Sequence, residues 1–536
     1  MRRSFILLST GLLLGSMALA LTLHPDWYVL FALLLALTAL GYYDMLQTKH
    51  SIKRIYPVVG RLRYVMEELR PKIYQYFIES DTDGKPINRV DRSTVYQRAK
   101  KENDTMPFGT QLDVYSEGYE WVCHSMSPIS FDLLNEDPRV QVGNAGCTQP
   151  YSLSVYNISA MSYGSLSSNA VEAMNAGAKI GGFAQNTGEG GLSPYHLKHG
   201  GDLIWQIGTG YFGCRTAEGD FDPVLFSEKA ALPQVKMIEL KLSQGAKPGH
   251  GGILPAAKNT PEIAAIRHVA PHTLVASPPY HKAFNSPRGL VRFIGEMREL
   301  AGGKPVGFKL CIGHKSEFIS ICKAMMEENC YPDFITVDGA EGGTGAAPQE
   351  FSNYVGAPLL DGLDFVHNIL TGLDIRQHIT LLAAGKITNG FHLMRAMALG
   401  ADACYSARAM MMAVGCIQAL LCNTNKCPVG VATQDPKLTV GLVVDDKKTR
   451  VANFHRATVK SFVELLGASG LNNKHNITRS HIYRRISFQS MLTYEEIFPS
   501  YQRGEFLQQV PERYRADFRY ANPDRWGFSN IGSWSN

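Results

Sequence analysis

The pattern of apolar and polar positions divides the chain into three stretches. Two nearly continuous apolar runs, residues 5–23 and 27–43, are separated by only three residues. Each run is about long enough for a helix to cross the core of a bilayer. Residues 50–130 are polar and rich in turn signals, and from about residue 150 short apolar segments alternate with helical segments. This alternation predicts βα units built on a parallel sheet.

Eight apolar segments are candidate strands of that sheet. They cover residues 155–161, 182–186, 237–242, 273–276, 306–311, 334–337, 379–383 and 403–407. Eight such units over about 300 residues predict an α/β fold of the (β/α)8 TIM barrel type, and a doubly wound open sheet is the alternative. Polar or glycine-rich residues directly follow most of the segments. This favours the barrel, because active sites of barrels form where the carboxyl ends of the strands converge.

These patterns predict four parts of the chain. They are a transmembrane helical hairpin (residues 1–48), a cap or linker (49–149), the barrel (150–471) and a short C-terminal extension (472–536). Basic residues flank the hairpin, Arg2 and Arg3 before it and a group from Lys49 to Arg63 after it. The positive-inside bias therefore predicts a membrane anchor with the barrel in the cytoplasm. A cleaved signal peptide is the alternative, and the second apolar run argues against it.

Charge and composition exclude some partner classes. The formal net charge is only +5 over 536 residues, and the sequence has no lysine-rich stripe and no zinc-finger or RNP-like motif. We therefore expect no nucleic acid partner. The ten cysteines show no repeating interval typical of a disulfide framework. In a chain of this size we interpret them as reduced thiols in the cytosol.

Three of the cysteines lie close together after the last predicted strand. Cys416, Cys422 and Cys427 are separated by five and by four residues, and Pro428 follows the last of them. Thiolates at such spacing can bind one iron–sulfur cluster, and three ligands rather than four suggest a three-iron cluster. Zinc is the second metal hypothesis, but zinc sites need a fourth ligand that the neighbouring sequence lacks. Buried structural cysteines are the remaining alternative.

Glycine-rich segments follow the sixth and seventh predicted strands, at residues 338–345 and 384–386. Glycine lets backbone N–H groups approach an anion closely, and barrels commonly bind phosphate near their last strands. Together the two segments predict a phosphorylated cofactor, although each alone also fits a helix cap or a tight turn. No G-x-G-x-x-G motif with an acidic residue about twenty positions on supports a Rossmann nicotinamide domain. Flavin mononucleotide (FMN) fits the pattern better.

Six uncommon motifs lie in order between residues 158 and 471. They are ISAMSYGSLS from Ile158, QNTGEGG from Gln185, KLSQGAKPGHGG from Lys241, SPPYH from Ser277, DGAEGGTGAAP from Asp338 and CPVGVATQDP from Cys427. This stretch, over half of the chain, resembles the flavin-binding synthase domain of glutamate synthases. The N-terminal hairpin and the segments DTDGKPINR and PFGTQ resemble a shorter, membrane-anchored, glutamate synthase-like branch.

The resemblance implies cofactors, a reaction and site residues. In that family the domain is a (β/α)8 barrel that holds FMN and a [3Fe-4S] cluster and reduces the imine of 2-oxoglutarate and ammonia to L-glutamate. Carried over to this sequence, the cluster ligands are Cys416, Cys422 and Cys427. The residues implied at FMN are Met161, Ser162, Gln185, Lys309, Gly342, Gly343, Thr344, Gly385 and Lys386. Those implied at the substrate are the cations Lys241, Lys247 and Arg267, which match its carboxylates, and Glu189, which handles protons.

Departures from the family bear on the substrate. His250 stands where the family has an acid, Ile253 where it has a glutamine, and Ala384 where it has an aspartate. Neither a glutamine amidotransferase nor a pyridine-nucleotide domain accompanies the barrel in this sequence. We therefore expect free ammonia, ammonia from a partner protein, or another amine as the nitrogen source. Electrons are expected from an external donor, either ferredoxin, a reductase subunit or a membrane-bound redox partner.

Two alternatives to glutamate synthesis stay open at this stage. One is a different amino-group transfer, such as the formation of N-methylglutamate. The other is a redox or electron-transfer module that keeps both cofactors without turnover. Three cations at the substrate end of the barrel favour catalysis, because a pure electron carrier has no need of them.

Overall fold

Eight short strands close into a parallel barrel in the computed structural model, which describes residues 1–527. The strands are β1 (Tyr156–Ile158), β2 (Gln185–Asn186), β3 (Leu203–Ile207), β4 (Val235–Lys241), β5 (Val306–Leu310), β6 (Phe334–Asp338), β7 (Thr380–Ala384) and β8 (Ala403–Ser406). Each strand pairs with the next along the chain, and β8 returns to pair in parallel with β1. The predicted TIM barrel is confirmed, and the open sheet is excluded.

One of the eight predicted strands is wrong, and one barrel strand is absent from the prediction. Residues Val275–Ala276 pair antiparallel with Ile253–Leu254 in a small separate sheet, not in the barrel. This segment belongs to the long connection between β4 and β5, and Leu274 before it is 64% exposed. The third barrel strand is instead β3, which is missing from the prediction and whose apolar run contains the polar residue Gln206.

Burial explains why these segments form strands. Every residue of β1, β3, β5, β6 and β8 is buried. Strands of a parallel barrel are covered on both faces, by the interior packing and by the helices, so they need continuous apolar runs instead of alternation. An antiparallel pair, Arg139–Val142 with Tyr151–Ser154, packs Val142 and Leu153 into the apolar interior at the amino-terminal end of the strands. The opposite end of the barrel is therefore the one left for chemistry.

Helices connect and cover the strands. Several begin with a proline behind a capping side chain, as where Asp222, Thr260 and Ser286 accept hydrogen bonds from the first turn. The α-helices from residue 89 onward are Arg89–Lys100, Ser168–Gly181, Pro194–Leu197, Pro223–Ala230, Pro261–Arg267, Pro287–Leu300, Lys315–Glu328, Gln349–Tyr354, Leu359–Gly372, Gly390–Ala398, Arg408–Ala413, Pro436–Thr439, Val444–Ala468, Tyr494–Ile497, Glu505–Gln508 and Glu512–Tyr520.

The residues before and after the barrel join in one small sheet. Strand Glu120–Val122 pairs with Ile482–Arg485, which pairs with Met491–Thr493. The last helix, Glu512–Tyr520, buries Tyr514. The second compact unit of the chain thus begins at Val90 and contains most of the predicted cap together with the described part of the C-terminal extension.

The first compact unit, Met1–Arg89, is built from helices. Helices Arg2–Thr22 and Trp27–Leu46 are long and apolar enough to cross a membrane, by length and composition, and most of their side chains are exposed. They approach closely where the ring of Phe5 fills the space that a side chain at position 41 would need. Helices Ser51–Ile55 and Arg61–Ile73 and the π-helical turn Tyr74–Ile78 follow.

Candidate active site

Charged side chains gather at the carboxyl ends of β4, β5 and β6. Lys241 is the last residue of β4 and lies opposite Lys309 of β5 in the strand pairing. The Lys309 ammonium lies 3.0 Å from a carboxylate oxygen of Asp338, the last residue of β6. Burial opposes the charge on Lys309, but Asp338 and Glu239 outweigh it, so the pKa of Lys309 is above its ordinary value. Lys309 is therefore a permanent buried cation at the mouth of the barrel.

A buried carboxylate lies one layer below, inside the barrel. Glu239 of β4 accepts hydrogen bonds from the Asn186 amide (2.8 Å), the Gln206 amide (2.7 Å) and the Thr336 hydroxyl (2.7 Å). A buried carboxylate needs such donors because burial removes its hydration. Three donors from three other strands therefore hold an anion in place below Lys309. Sequence reasoning missed Glu239, although a glutamate within an otherwise apolar strand was a usable signal.

Glu189, in the loop after β2, lies among three cations. The Lys241 ammonium lies 3.0 Å from its carboxylate. Burial raises the pKa of Glu189, but the charges of Lys241, Arg267 and Lys247 outweigh burial and hold the pKa below its ordinary value. The structure thus brings together all four residues predicted at the substrate. They form a compact group with one anion and three cations.

Glycines make the space for the Glu189 carboxylate. A side-chain carbon at Gly208, just after β3, would lie 2.5 Å from one of its oxygens. One at Gly252, in the loop after β4, would overlap the other oxygen. Because neither position tolerates a side chain without moving the carboxylate, the backbone itself sets where the anion lies.

Arg267 and Lys247 complete the cationic group. Arg267 donates to the backbone oxygen of Tyr163 (3.1 Å) and packs over the ring of Phe212, 5.1 Å from its centre. Its Nε is buried and has no hydrogen-bond partner within residues 1–527. Lys247 donates to the backbone oxygen of Ala346 (2.7 Å), and burial lowers its pKa to about 8. A buried donor without a partner is a natural contact for an anionic ligand.

Gln185 lies apart from this group. Its side-chain amide points toward helix Ser168–Gly181, where it donates to the backbone oxygen of Val171 (3.4 Å). The next residue, Asn186, instead faces the interior and contacts Glu239. Neighbouring residues of a strand face opposite sides, so a two-residue strand brings only one of them to the interior. Met161 and Ser162, by contrast, lie in the loop after β1 against the backbone at Gly188.

Gly188 supports a prediction on stability. It has a left-handed backbone (φ 67°), and a side-chain carbon there would lie 2.5 Å from the Ser162 nitrogen. We expect Gly188→Ala to lower the free energy of unfolding by about 2–5 kcal/mol, because strain and overpacking add. Gly182→Ala is the matched control, since Gly182 has a similar backbone (φ 70°) but open space around it. It should cost only about 1–2 kcal/mol. Equal losses in denaturant titrations would contradict the close contact at Gly188.

The two segments predicted to bind phosphate meet near the end of β8. A side-chain carbon at Gly343 would lie 3.0 Å from the side chain of Arg408, and one at Gly385 would lie 3.4 Å from the carboxyl carbon of Glu341. Arg408 donates to the backbone oxygen of Glu341, and burial lowers its pKa. Lys386 has a left-handed backbone (φ 49°). Strained backbone of this kind concentrates at functional sites.

Arg408 and Thr344 extend the description of this region. Arg408, missed by the sequence reasoning, begins the short helix directly after β8, where barrels commonly bind phosphate. The hydroxyl of Thr344 lies 3.5 Å from the side-chain amide of Gln244, on the side of the substrate group. Gln244 in turn accepts a hydrogen bond from the Lys241 ammonium (2.7 Å). The phosphate region and the cationic group are therefore neighbours on one face of the barrel.

The three-cysteine segment follows the helix Arg408–Ala413. All three thiols are free, and Cys427 is buried. Burial raises the pKa of the Cys416 thiol to about 12, and the charges of Cys422 and Cys427 add to the effect. The thiols therefore lie within electrostatic range of one another. No group of three or more metal-binding side chains within the described residues converges on a single ion. A cluster does not require that geometry, because each thiolate binds a different iron.

Side chains from three segments hold the loop after β1, here called the β1 loop (residues 159–167). Its successive backbone oxygens are bound by Arg267 (at Tyr163, 3.1 Å), Gln434 (at Gly164, 3.0 Å, and Leu166, 2.7 Å) and Lys258 (at Ser165, 2.9 Å). Gln434 belongs to the motif that begins at Cys427. Lys258 is buried, and the charges of Cys422 and Cys427 act on it. The β1 loop thus connects the cysteine segment to the cationic group.

Comparison with known proteins identifies the family. A parallel (β/α)8 barrel with this charged group at the carboxyl ends of its strands has the architecture of a barrel enzyme. Residues 94–472 match the conserved region in glutamate synthase. The chain belongs to the glutamate synthase family, and it is an oxidoreductase.

Curated relatives agree with this assignment. The glutamate synthase large subunit-like protein YerD of Bacillus subtilis is 36% identical over 493 residues, which cover 85% of this chain and 93% of YerD. An archaeal-type glutamate synthase [NADPH] of Thermotoga neapolitana is 36% identical over 314 residues, or 58% of this chain and 59% of the relative. The archaeal glutamate synthase [NADPH] of Methanocaldococcus jannaschii is 35% identical and is likewise matched over 59% of its length. The match to YerD spans nearly the full length of that relative.

Solved structures match more distantly. A mutant flavocytochrome b2 with pyruvate bound gives a TM-score of 0.40 at 10% identity, covering 81% of this chain and 91% of the other. A mandelate oxidase mutant with an FMN adduct gives 0.39 at 13% identity, covering 81% and 99%.

Proposed function

We propose that the chain reduces the imine formed from 2-oxoglutarate and ammonia to L-glutamate, with FMN and a [3Fe-4S] cluster as cofactors and with electrons from an external donor. The observation that carries the proposal is the group of Glu189, Lys241, Lys247 and Arg267 at the mouth of the barrel. Family membership supports both the reaction class and the flavin. The membership does not by itself choose the substrate, so the argument for the keto acid rests on charge.

The charge of the group suits a dicarboxylate. Three cations face one carboxylate, so a ligand with two negative charges neutralises the remaining excess. The free Nε of Arg267 offers one donor to such a ligand without breaking an existing hydrogen bond. Charge-assisted hydrogen bonds from guanidinium and ammonium groups are the strong contacts that recognise carboxylates. Glu189, with a pKa held low, is ionised at neutral pH and can accept a proton from the incoming amine.

The chain's residues also fit FMN. Lys309 supplies a fixed cation, Gly343 brings backbone close to Arg408, Gly342 lies beside the Asp338 carboxylate, and Gly385 and Lys386 follow β7. These groups would hold the phosphate and the charged edge of the ring, with Met161 and Ser162 lining it from the β1 loop. When bound, FMN supplies hydride chemistry and the cluster supplies single electrons.

The cysteine segment fits a cluster by its chemistry. It offers three free thiols and no fourth ligand in the same segment. Cluster formation requires thiolates, and the neighbouring buried ammonium of Lys258 compensates their charge. We therefore assign Cys416, Cys422 and Cys427 to the cluster in this proposal.

A second candidate is transfer of an amine other than ammonia, such as the formation of N-methylglutamate. It is favoured by the loop after β4, where His250 and Ile253 replace the acid and the amide of the family pattern. His250 packs edge-on against Phe351 (5.4 Å between ring centres), and a side-chain carbon at the neighbouring Gly251 would overlap the backbone oxygen of Ser277. A more apolar loop at this position suits an alkylated amine.

Single-turnover kinetics test the proposal. The protein is purified in detergent without oxygen and reduced chemically, and the flavin absorbance is followed after mixing with 2-oxoglutarate and ammonium. We expect rapid reoxidation and one glutamate formed per flavin. Reoxidation by 2-oxoglutarate only when methylammonium replaces ammonium, with one N-methylglutamate formed per flavin, would support the second candidate. If the flavin stays reduced with every pair of amine and keto acid, the redox-module hypothesis is the one that remains.

Lys247 gives the proposed binding step a pH dependence. Its pKa is lowered to about 8 by burial, so the ammonium loses its proton as the pH rises through that value. We expect KM for 2-oxoglutarate to be constant below about pH 7 and to rise above about pH 8, since one cation for the substrate is lost. In the Lys247→Arg variant the guanidinium stays charged, so the rise should disappear. A flat KM in the unchanged protein would contradict a role for Lys247 in binding.

We also propose that the two apolar helices anchor the protein in a membrane with the barrel in the cytoplasm. The basic residues on both sides of the hairpin support this orientation. Reporter enzymes fused after residue 50 test it. Activity of a periplasmic reporter at that point would contradict the cytoplasmic orientation.

A further inference from the structure

The helix that follows the hairpin has one apolar face. In Arg61–Ile73 the apolar side chains recur at the helical spacing i, i+3, i+4, i+7 and i+11, and they are Leu62, Val65, Met66, Leu69 and Ile73. Residues at these intervals lie on the same side of a helix. Arg63, Glu67 and Arg70 lie on the other side, and Arg63 forms an ion pair with Glu67 (2.9 Å). The helix is therefore amphipathic.

Nothing within the first compact unit, residues 1–89, buries that face. No residue of the helix is buried. Half of the surface of Met66 and 57% of that of Leu62 are exposed, and the exposed apolar surface continues into Tyr76 and Phe77. A thirteen-residue helix has little stability in water by itself, and most of the stability of such helices comes from covering the apolar face. A stable helix here therefore requires a nonpolar environment that covers this face.

The start of the helix is fixed to the end of the hairpin. Arg61 donates two hydrogen bonds to the Asp44 carboxylate (2.7 and 2.9 Å), and Asp44 lies in the last turn of Trp27–Leu46. Asp44 also accepts a hydrogen bond from the backbone of Val58 (3.0 Å). The amphipathic helix thus begins at the end of an apolar helix that is long enough to cross a membrane. Its position relative to that end is set by a paired fork of hydrogen bonds.

The charge of this region matches an anionic surface. Residues 49–72 contain seven basic and two acidic residues. Anionic lipids at a cytoplasmic surface attract such segments. Amphipathic helices with basic polar faces lie in the plane of a membrane interface, with the apolar side toward the acyl chains.

We propose that the helix Arg61–Ile73 lies in the cytoplasmic interface of an anionic membrane, with Leu62, Val65, Met66 and Leu69 facing the acyl chains. The inference rests on the membrane anchor proposed above. It adds a second, in-plane lipid contact, which limits how the segment after the anchor can leave the membrane.

A photoreactive amino acid incorporated into the full chain tests the inference. A diazirine side chain is placed at position 66 on the apolar face, at 67 on the polar face, or at 33 in the middle of the hairpin. Positions 66 and 67 are matched, because Met66 and the side chain of Glu67 are 50% and 52% exposed. Native membranes are illuminated, and lipid adducts are quantified by mass spectrometry.

Several-fold more lipid adduct at 66 than at 67 is the expected result. Equal yields at 66 and 67, or peptide adducts in place of lipid at 66, would overturn the inference. Lipid adducts at 33 in the same experiment would support the membrane anchor, whatever the result at 66. Lipid adducts at 66 without adducts at 33 would support the in-plane helix and remove the anchor. The absence of lipid adducts at both 33 and 66 would contradict both the anchor and the in-plane helix.

Discussion

Replacing Glu189 with glutamine is expected to lower kcat for glutamate formation by about 10²- to 10⁴-fold, the range typical of a lost acid–base group. The substitution keeps the size of the side chain, so the space left by Gly208 and Gly252 stays filled. It removes the single anion beside Lys241. The amide cannot take up a proton from the amine, and the cations keep their positive charge.

The effect on substrate binding should have the opposite sign. Glu189 partly neutralises Lys241, Lys247 and Arg267, and its loss leaves more positive charge for the two carboxylates of the substrate. We therefore expect KM for 2-oxoglutarate to stay constant or fall while kcat falls. Steady-state kinetics at several pH values, together with the flavin spectrum, separate this result from a general loss of structure.

The control for this variant is Glu172→Gln. Glu172 is also held by basic neighbours, with Lys198 at 2.8 Å and His199 at 2.9 Å, but it lies on helix Ser168–Gly181. Its pKa, like that of Glu189, is below the ordinary value, since the two neighbours outweigh burial. Unchanged kcat is expected for this variant. Equal losses in both variants, or unchanged kcat in Glu189→Gln, would contradict proton transfer by Glu189.

Replacing Cys427 with serine is expected to abolish electron transfer from an external donor to the flavin. A serine hydroxyl does not replace a thiolate as an iron ligand, so the proposed cluster should not form without one of its three assigned ligands. Iron content and the electron paramagnetic resonance spectrum should fall to background, while FMN content is retained. Chemically reduced flavin in the variant should still be reoxidised by the substrates in a single turnover. That bypass distinguishes loss of the cluster from damage to the active site.

Cys330→Ser is the control, because Cys330 is partly buried and lies outside the three-cysteine segment. Full iron content is expected in this variant. Iron retained in Cys427→Ser would contradict the assignment of the cluster to this segment. Iron absent from the unchanged protein, prepared without oxygen, would contradict the cluster itself.

The barrel could be predicted because its strands are buried on both sides. Segments such as β5 and β6 are short apolar runs followed by polar residues. This pattern can be recognised in the sequence without knowing which strands pair with them. The strand β3 was missed because Gln206 interrupts its apolar run. Gln206 is polar for a reason that appears only in three dimensions, since it donates to Glu239 of the neighbouring strand.

Site residues that lie in sequence motifs could be predicted, whereas residues whose role depends on the three-dimensional arrangement were missed. Glu189, Lys241 and Lys247 lie in two of the motifs, Arg267 lies outside all six, and the fold brings the four side chains together. Arg408 was missed because its role depends on the approach of Gly343, which lies far from it in sequence. Gln185 is the opposite case. A motif marks it as a site residue, but neighbouring residues of a strand face opposite sides, and the Gln185 side chain faces helix Ser168–Gly181.

The β1 loop has a consequence for how natural variation in this family is interpreted. Its backbone oxygens are bound by Arg267, Lys258 and Gln434, which come from different segments of the chain. In the proposed function, neither Lys258 nor Gln434 is assigned a contact with the substrate. We expect a substitution at either position to loosen the loop to which Arg267 is bound and thereby to change substrate preference. Natural substitutions at residues that do not contact the ligand can therefore change the specificity of this site.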